Sequence, residues 1–225
     1  MPKYKLISFP ICPFVQRSTI TLEHKGVPYD IEFIDLSDKP DWFLELSPLG
    51  KVPVLVVEEE EREIVLFESA VINEYLDEIT EGSLLPADPL LKARHRALIE
   101  FASAGINDAW MMGTAKSRED ALAHAAKLRD KFARLESELV GPLFTGESLS
   151  LVDTATIPML LRAAWTEEIV PELALFADFP KVTAWRDATM ALEAVERSAV
   201  PDLRERYRQY LAKRDGSWVG GQVSA

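Results

Sequence analysis

A single cysteine, Cys12, stands in the segment Phe9-Pro10-Ile11-Cys12-Pro13-Phe14-Val15-Gln16-Arg17, where a short apolar strand is expected to give way to a helix. A thiol on the first turn of a helix faces unpaired backbone N–H groups and the positive end of the helix dipole, and both favour the thiolate. Pro13 suits the first helical position, and Val15, Ile20 and Leu22 recur with Arg17, Glu23, His24 and Lys25 between them. Residue types and order point to a nucleophilic sulfur, against the commoner role of a free cysteine as a small buried hydrophobe. A thiol of pKa about 8.5 would have to fall to about 6, roughly 3.4 kcal/mol, to be mainly ionised at neutral pH. A helix dipole supplies about 0.3–2 kcal/mol, so hydrogen bonds from the Phe14 and Val15 amides are expected as well. Position 15 is valine and no other cysteine exists, so a mixed disulfide on Cys12 must be resolved by a thiol from solution.

The elements that position this sulfur fall into two groups. Up to about residue 80 the pattern reads as strand 4–9, helix 14–25, strand 29–35, a loop or short helix to Leu46, strands 54–57 and 64–67, and helix 69–78. That order is βαβ followed by a hairpin and a helix, an α/β unit over residues 1–80. A proline-rich joint over 81–89 separates it from an all-helical unit over 90–225, with helices expected at 90–112, 118–139, 151–165, 180–193 and 201–213. The glycine-containing tail 215–225 is expected to be loosely held.

At 225 residues and 48% hydrophobic, the chain can bury a full core. Its longest unbroken apolar stretch, 52–57, is far too short for a signal-peptide core or a membrane span, so a cytoplasmic location is expected, with no membrane partner. One cysteine allows no internal disulfide, and a lone thiol stays reduced in that compartment. A net charge of −12 with no Lys/Arg cluster argues against nucleic acid. The run Glu58-Glu59-Glu60-Glu61 reads as a solvated hairpin turn, and His24, His95 and His124 share no ligand spacing with one another or with Cys12. No metal site is expected.

The helix-initiating cysteine after a first strand points to a thioredoxin-like module. With the helical second half, the chain resembles the glutathione transferase family, and within it the omega class. The resemblance is carried by Cys12-Pro13-Phe14, residues 36–43, Ser47-Pro48-Leu49-Gly50-Lys51-Val52-Pro53-Val54-Leu55, Glu68-Ser69-Ala70 and Glu74-Tyr75-Leu76-Asp77-Glu78. It implies glutathione as co-substrate, a homodimer, and thioltransferase or dehydroascorbate-reductase activity acting on a small disulfide or electrophile. It also implies that Pro53 is cis, that Val52 pairs with the cysteinyl backbone of glutathione, and that Lys39 lies near the glycyl carboxylate. Glu68 and Ser69 would hold the γ-glutamyl end. Ser69 can N-cap the helix there and meet an anion, although for a Glu-Ser pair taken alone a plain cap beside an exposed acid is the commoner reading. The Cys12 thiolate would form a mixed disulfide with glutathione, and free glutathione would then release the enzyme. The second substrate is expected between the Cys12 turn and helix 90–112, near Ile11, Pro13, Trp110 and Met111.

Ser150-Leu151-Val152-Asp153 reads as a capping box for a buried helix, a folding element. Leu149 before it faces Thr154, so a hydrophobic staple there is weak, and Pro158 is expected to kink the helix. Other readings remain open: a hydroxyl-activated conjugating transferase, with Ser8 the plausible hydroxyl and Tyr4 too early in its strand, and a non-catalytic regulator. A third is a glutathione-binding protein similar to chloride intracellular channel proteins, whose Cys-Pro-Phe-x-Gln-Arg segment matches 12–17 but which lack the Glu68-Ser69 pair.

Overall fold

The structure, a computed structural model, describes residues 2–223. Four strands, β1 (Lys3–Ser8), β2 (Asp30–Phe33), β3 (Val54–Glu58) and β4 (Glu63–Phe67), form one sheet in the order β2-β1-β3-β4. β1 and β2 run parallel across α1 (Pro13–Lys25), while β3 is antiparallel to both β1 and β4. The short α2 (Asp41–Leu46) precedes β3, and α3 (Ser69–Glu78) follows β4. The four glutamates fall at the β3–β4 turn, where Glu59 to Glu61 are exposed and Glu59 pairs with Arg62. This is a thioredoxin-like unit. Its core is Leu6, Ile7, Val15, Leu22, Phe43, Val54, Leu55, Ile72 and Leu76, drawn from both faces of the central strands β1 and β3 and the inner faces of α1, α2 and α3.

The second unit is helical: α4 (Pro89–Gly113), α5 (Arg118–Glu136), α6 (Leu151–Ile169), α7 (Pro180–Met190), α8 (Glu193–Arg197) and α9 (Leu203–Ala212). The helix expected over 180–193 ends at Met190, and α8 begins after a break in which the Ala191 and Leu192 amides bond back to Ala188 and Thr189. α6 is buried on every face from Leu151 to Thr166, which explains its lack of an amphipathic stripe, and it continues through Pro158. Its capping box is formed: the Ser150 hydroxyl accepts from the Asp153 N–H, and the Asp153 carboxylate accepts from the Ser150 N–H at 2.8 Å. α6 packs against α1 of the first unit and against α4 of its own.

The segment between α3 and α4 is tied to the first unit. Asp77 pairs with the buried Lys25 at 2.8 Å and accepts from the Leu84 amide at 2.8 Å. Against expectation, most of the tail is docked as well. The Trp218 amide donates to Ala115 at 2.8 Å, the Ser217 hydroxyl donates to Gly113 at 2.9 Å, and Val219 is fully buried. Ser217 and Trp218 close the C-terminal end of α4, bringing donors from a distant segment to the carbonyls of Gly113 and Ala115. Residues 224 and 225 of that tail lie outside the described residues. Among the described residues no helix is long and apolar enough to cross a membrane.

Candidate active site

Cys12 is the N-cap of α1, with extended backbone angles, and Pro13 is the first helical residue. Cys12 is half-buried, and its sulfur lies 4.0 Å from the Val52 carbonyl, a long and weak contact. Burial pushes the thiol up from its ordinary value. The Val15 and Phe14 amides push it down, followed by Arg162 and Arg17. The two amides named from the sequence favour the thiolate, but the Cys12 side chain makes no capping hydrogen bond and the expected net depression is absent. Desolvation outweighs the groups that favour the thiolate.

Beside the Cys12 turn lies a cleft of about 260 Å³, lined by Phe14, Ser47, Leu49, Lys51, Val52, Pro53, Phe67, Glu68, Ser69 and Asn107 but not by Cys12 itself. The sequence of its floor explains its shape. The Ser47 hydroxyl donates to the Lys51 carbonyl at 2.8 Å and accepts from the Lys51 amide at 2.9 Å, closing a loop that turns through Gly50 at φ 58. Only a residue without a Cβ enters that backbone region freely. The Val52-Pro53 peptide is cis, and the β3 ladder begins only at Val54, so Val52 faces the cleft outside the sheet.

Ser69 is not the N-cap of α3. Glu68 takes that place at φ 70, and Ser69 is the first helical residue. The left-handed turn at Glu68 leaves the carboxylate exposed at the cleft edge and the Ser69 hydroxyl buried, accepting from Arg17 at 3.5 Å. Lys39 is exposed and outside the cleft lining. It lies beside Gly50, its Nζ 3.4 Å from the point a Cβ there would occupy, and the cleft cation is instead Lys51. Ser47, Lys51 and Leu49 could have been found from the motif that contains them. Asn107 had no local signal, because only the packing of α4 beside the sheet brings it to the cleft.

Behind the α1 turn, Ile11, Pro13 and Trp110 do come together, with Ile106, Pro158, Met159, Arg162 and Tyr207, around a small apolar slot of about 30 Å³. Met111 is not part of it. One residue further along α4 turns the side chain about 100° away, and Met111 is 48% exposed. Trp110 packs on Tyr210 at 5.4 Å between ring centroids. The alternative hydroxyls are poorly placed. Ser8 is buried and donates to the adjacent Phe9 carbonyl, and Tyr4 is packed on Tyr75 with its phenol pushed up to about 12, chiefly by burial. Among the described residues no group of three or more His, Cys, Asp or Glu side chains could hold a metal ion.

Fold and site together define a thioredoxin-like domain carrying a helix-capping cysteine beside a polar cleft, with a helical domain closing the other side. Residues 11–79 match the family of glutathione S-transferase N-terminal domains, and residues 89–193 match that of glutathione S-transferase C-terminal domains. Glutathione S-transferase omega-1 of Rattus norvegicus is 33% identical over 214 residues, 92% of this chain and 84% of that one. The crystal structure of glutathione transferase Omega 3C from Trametes versicolor superposes with a TM-score of 0.75 at 28% identity, over 89% of this chain and 90% of that one. A maleylacetoacetate isomerase from Anaeromyxobacter dehalogenans, solved with GSH in its active site, gives a TM-score of 0.67 at 26% identity over 90% and 98% of the two chains. The chain belongs to the glutathione S-transferase family and is similar to its omega class.

Proposed function

We propose that this glutathione transferase works mainly as a monothiol thioltransferase and reductase of the dehydroascorbate-reductase type, in the cytoplasm and as a homodimer. Residues 1–80 hold glutathione, residues 81–89 link the two units, and residues 90–225 close the second-substrate side. The reading rests on one observation: the chain's only cysteine holds the N-cap position of α1, with Pro13 as the first helical residue. In the first step the Cys12 thiolate attacks the glutathionyl sulfur of a mixed disulfide. A Cys12–glutathione disulfide forms, the old S–S bond breaks, and the other sulfur leaves as a thiolate that takes a proton. A glutathione thiolate then attacks the glutathionyl sulfur of that intermediate, giving oxidised glutathione and returning Cys12 as the leaving thiolate. Glu68 pairs with the γ-glutamyl ammonium, the Ser69 hydroxyl and N–H hold its carboxylate at the start of α3, and Val52 pairs with the cysteinyl backbone. Lys39, or Lys51 in its stead, faces the glycyl carboxylate. Ile11, Pro13 and Trp110 border the second substrate.

The test is a coupled assay with a glutathionylated small disulfide. Cys12→Ser is expected to lose exchange while still binding glutathione; a variant with full turnover would reject the mechanism.

A further inference from the structure

Two buried arginines flank Cys12 and have no acidic partner. Arg162, on α6, is 4% exposed; it donates through Nη2 to the Ile11 carbonyl at 3.1 Å and through Nη1 to the Gln16 side chain. Arg17, on α1, is 1% exposed and donates to the Ala155 carbonyl at 2.9 Å and to the Ser103 hydroxyl at 2.8 Å. Among the described residues neither forms an ion pair with a carboxylate, and Arg162 Nε and Arg17 Nη2 are buried without a hydrogen-bond partner. A buried cation is normally paired, because leaving water is costly unless a nearby negative charge offsets it.

The groups facing these cations are few. Glu100 on α4 acts on Arg17 without an ion pair. Tyr207 on α9 faces Arg162, but burial pushes its phenol up and its hydroxyl is bonded to Thr166 at 3.0 Å. The remaining group able to become an anion is Cys12, which lines with Arg162 the same small cavity of about 20 Å³. Burial lowers both guanidiniums to about 10, so both stay charged at neutral pH.

We infer that Arg162, assisted by Arg17, is the built-in counterion of the Cys12 thiolate, a positioning residue that carries the charge balance of the exchange chemistry from the helical domain. The inference rests on Cys12 being the nucleophile proposed above. Each time Cys12 leaves as a thiolate, its negative charge is released beside two cations, neither of them ion-paired and only Arg17 acted on by a carboxylate, Glu100. When it is in a disulfide, those cations are unbalanced, which favours return to the thiolate.

The test is the midpoint of the pH profile for alkylation of Cys12 by iodoacetamide, in the full chain and without glutathione. Because Cys12 is the sole cysteine, the signal has one source. Arg162→Met is expected to move the midpoint up by about one unit, slowing alkylation at neutral pH roughly tenfold; Arg162→Lys restores most of it, and Arg17→Met gives a smaller shift of the same sign. If Arg162→Met shows no cooperative melt, Arg162→Gln against Arg162→Lys gives the same comparison of a neutral with a charged side chain. Neutral and charged variants with equal midpoints, whether shifted together or not, overturn the counterion role and leave the Cys12 exchange reaction standing.

Discussion

The first turns of α1 and α6 each place a group able to bear negative charge at the positive end of a helix, and they treat it in opposite ways. At α6 the Asp153 carboxylate accepts from the Phe144 and Ser150 amides at 2.8 Å each, from the Ser150 hydroxyl at 2.6 Å and from Trp185 Nε1 at 2.7 Å. Every donor is fixed, and the residue is fully buried. At α1 the Cys12 side chain makes no capping hydrogen bond; its sulfur has only a carbonyl at 4.0 Å and the charges of Arg162 and Arg17, on a half-buried residue. A saturated anion is finished chemistry and can only hold the fold together. An anion held by distant charge, with room at its surface, is left able to react.

Substitutions at the two turns should therefore separate function from stability. Cys12→Ser has the largest expected effect, loss of disulfide exchange by on the order of a thousandfold or more, with stability changed by less than about 0.5 kcal/mol in chemical denaturation. A large drop in stability would show that the α1 turn is structural like its counterpart. Asp153→Ala is the mirror case. It strands two amides, a hydroxyl and an indole N–H, and should cost about 3–5 kcal/mol, read as a lowered denaturation midpoint, with alkylation of Cys12 in the folded fraction unchanged.

Glu68→Gln touches neither turn and should weaken glutathione binding roughly tenfold by calorimetry with stability almost unmoved, because the carboxylate is exposed, outside the core, and is the group proposed to meet the γ-glutamyl ammonium. The smallest effect concerns pH. His95 packs edge-on against Phe144 at 5.9 Å, near the Asp153 network, and burial pushes its imidazolium down from the ordinary value, against Asp153, which raises it. A depressed folded-state pKa means that stability is complete above the unfolded value of about 6.5 and is lost as pH falls through the folded one. His95→Gln should flatten that acid limb in melts recorded at stepped pH. The flattening is partial, since His24, also pushed down by burial, acts in the same direction. An unchanged acid limb would remove His95 from the account.

Much of this was legible in the chain because the signals are local. The position of Cys12 before Pro13, the period of α1, the βαβ-ββα order and the Ser150-to-Asp153 box each depend on residues within a turn or two of one another. The misplacements have local causes too. Ser69 reads as a cap because serine favours that position, but the left-handed backbone at Glu68 moves the cap one residue back. Met111 was placed by proximity to Trp110, although adjacent helical residues point about 100° apart. The break in the helix expected over 180–193 has no proline or glycine to announce it. Arg17 sits in the sequence among the polar residues of α1, yet it is among the most deeply buried side chains of the molecule.

By itself the sequence determined which atom could be the nucleophile, from its neighbours at one helix start, and that no second cysteine would resolve it, from the count of one in the whole chain. Only the tertiary structure decided the electrostatics around that atom. Arg162 is 150 residues from Cys12 in the chain, and Asn107 is 95. Whether a charge is neutralised by a carboxylate or left to face a thiol is set by helix packing, because burial and Coulomb energy depend on distance in space and not on spacing along the backbone.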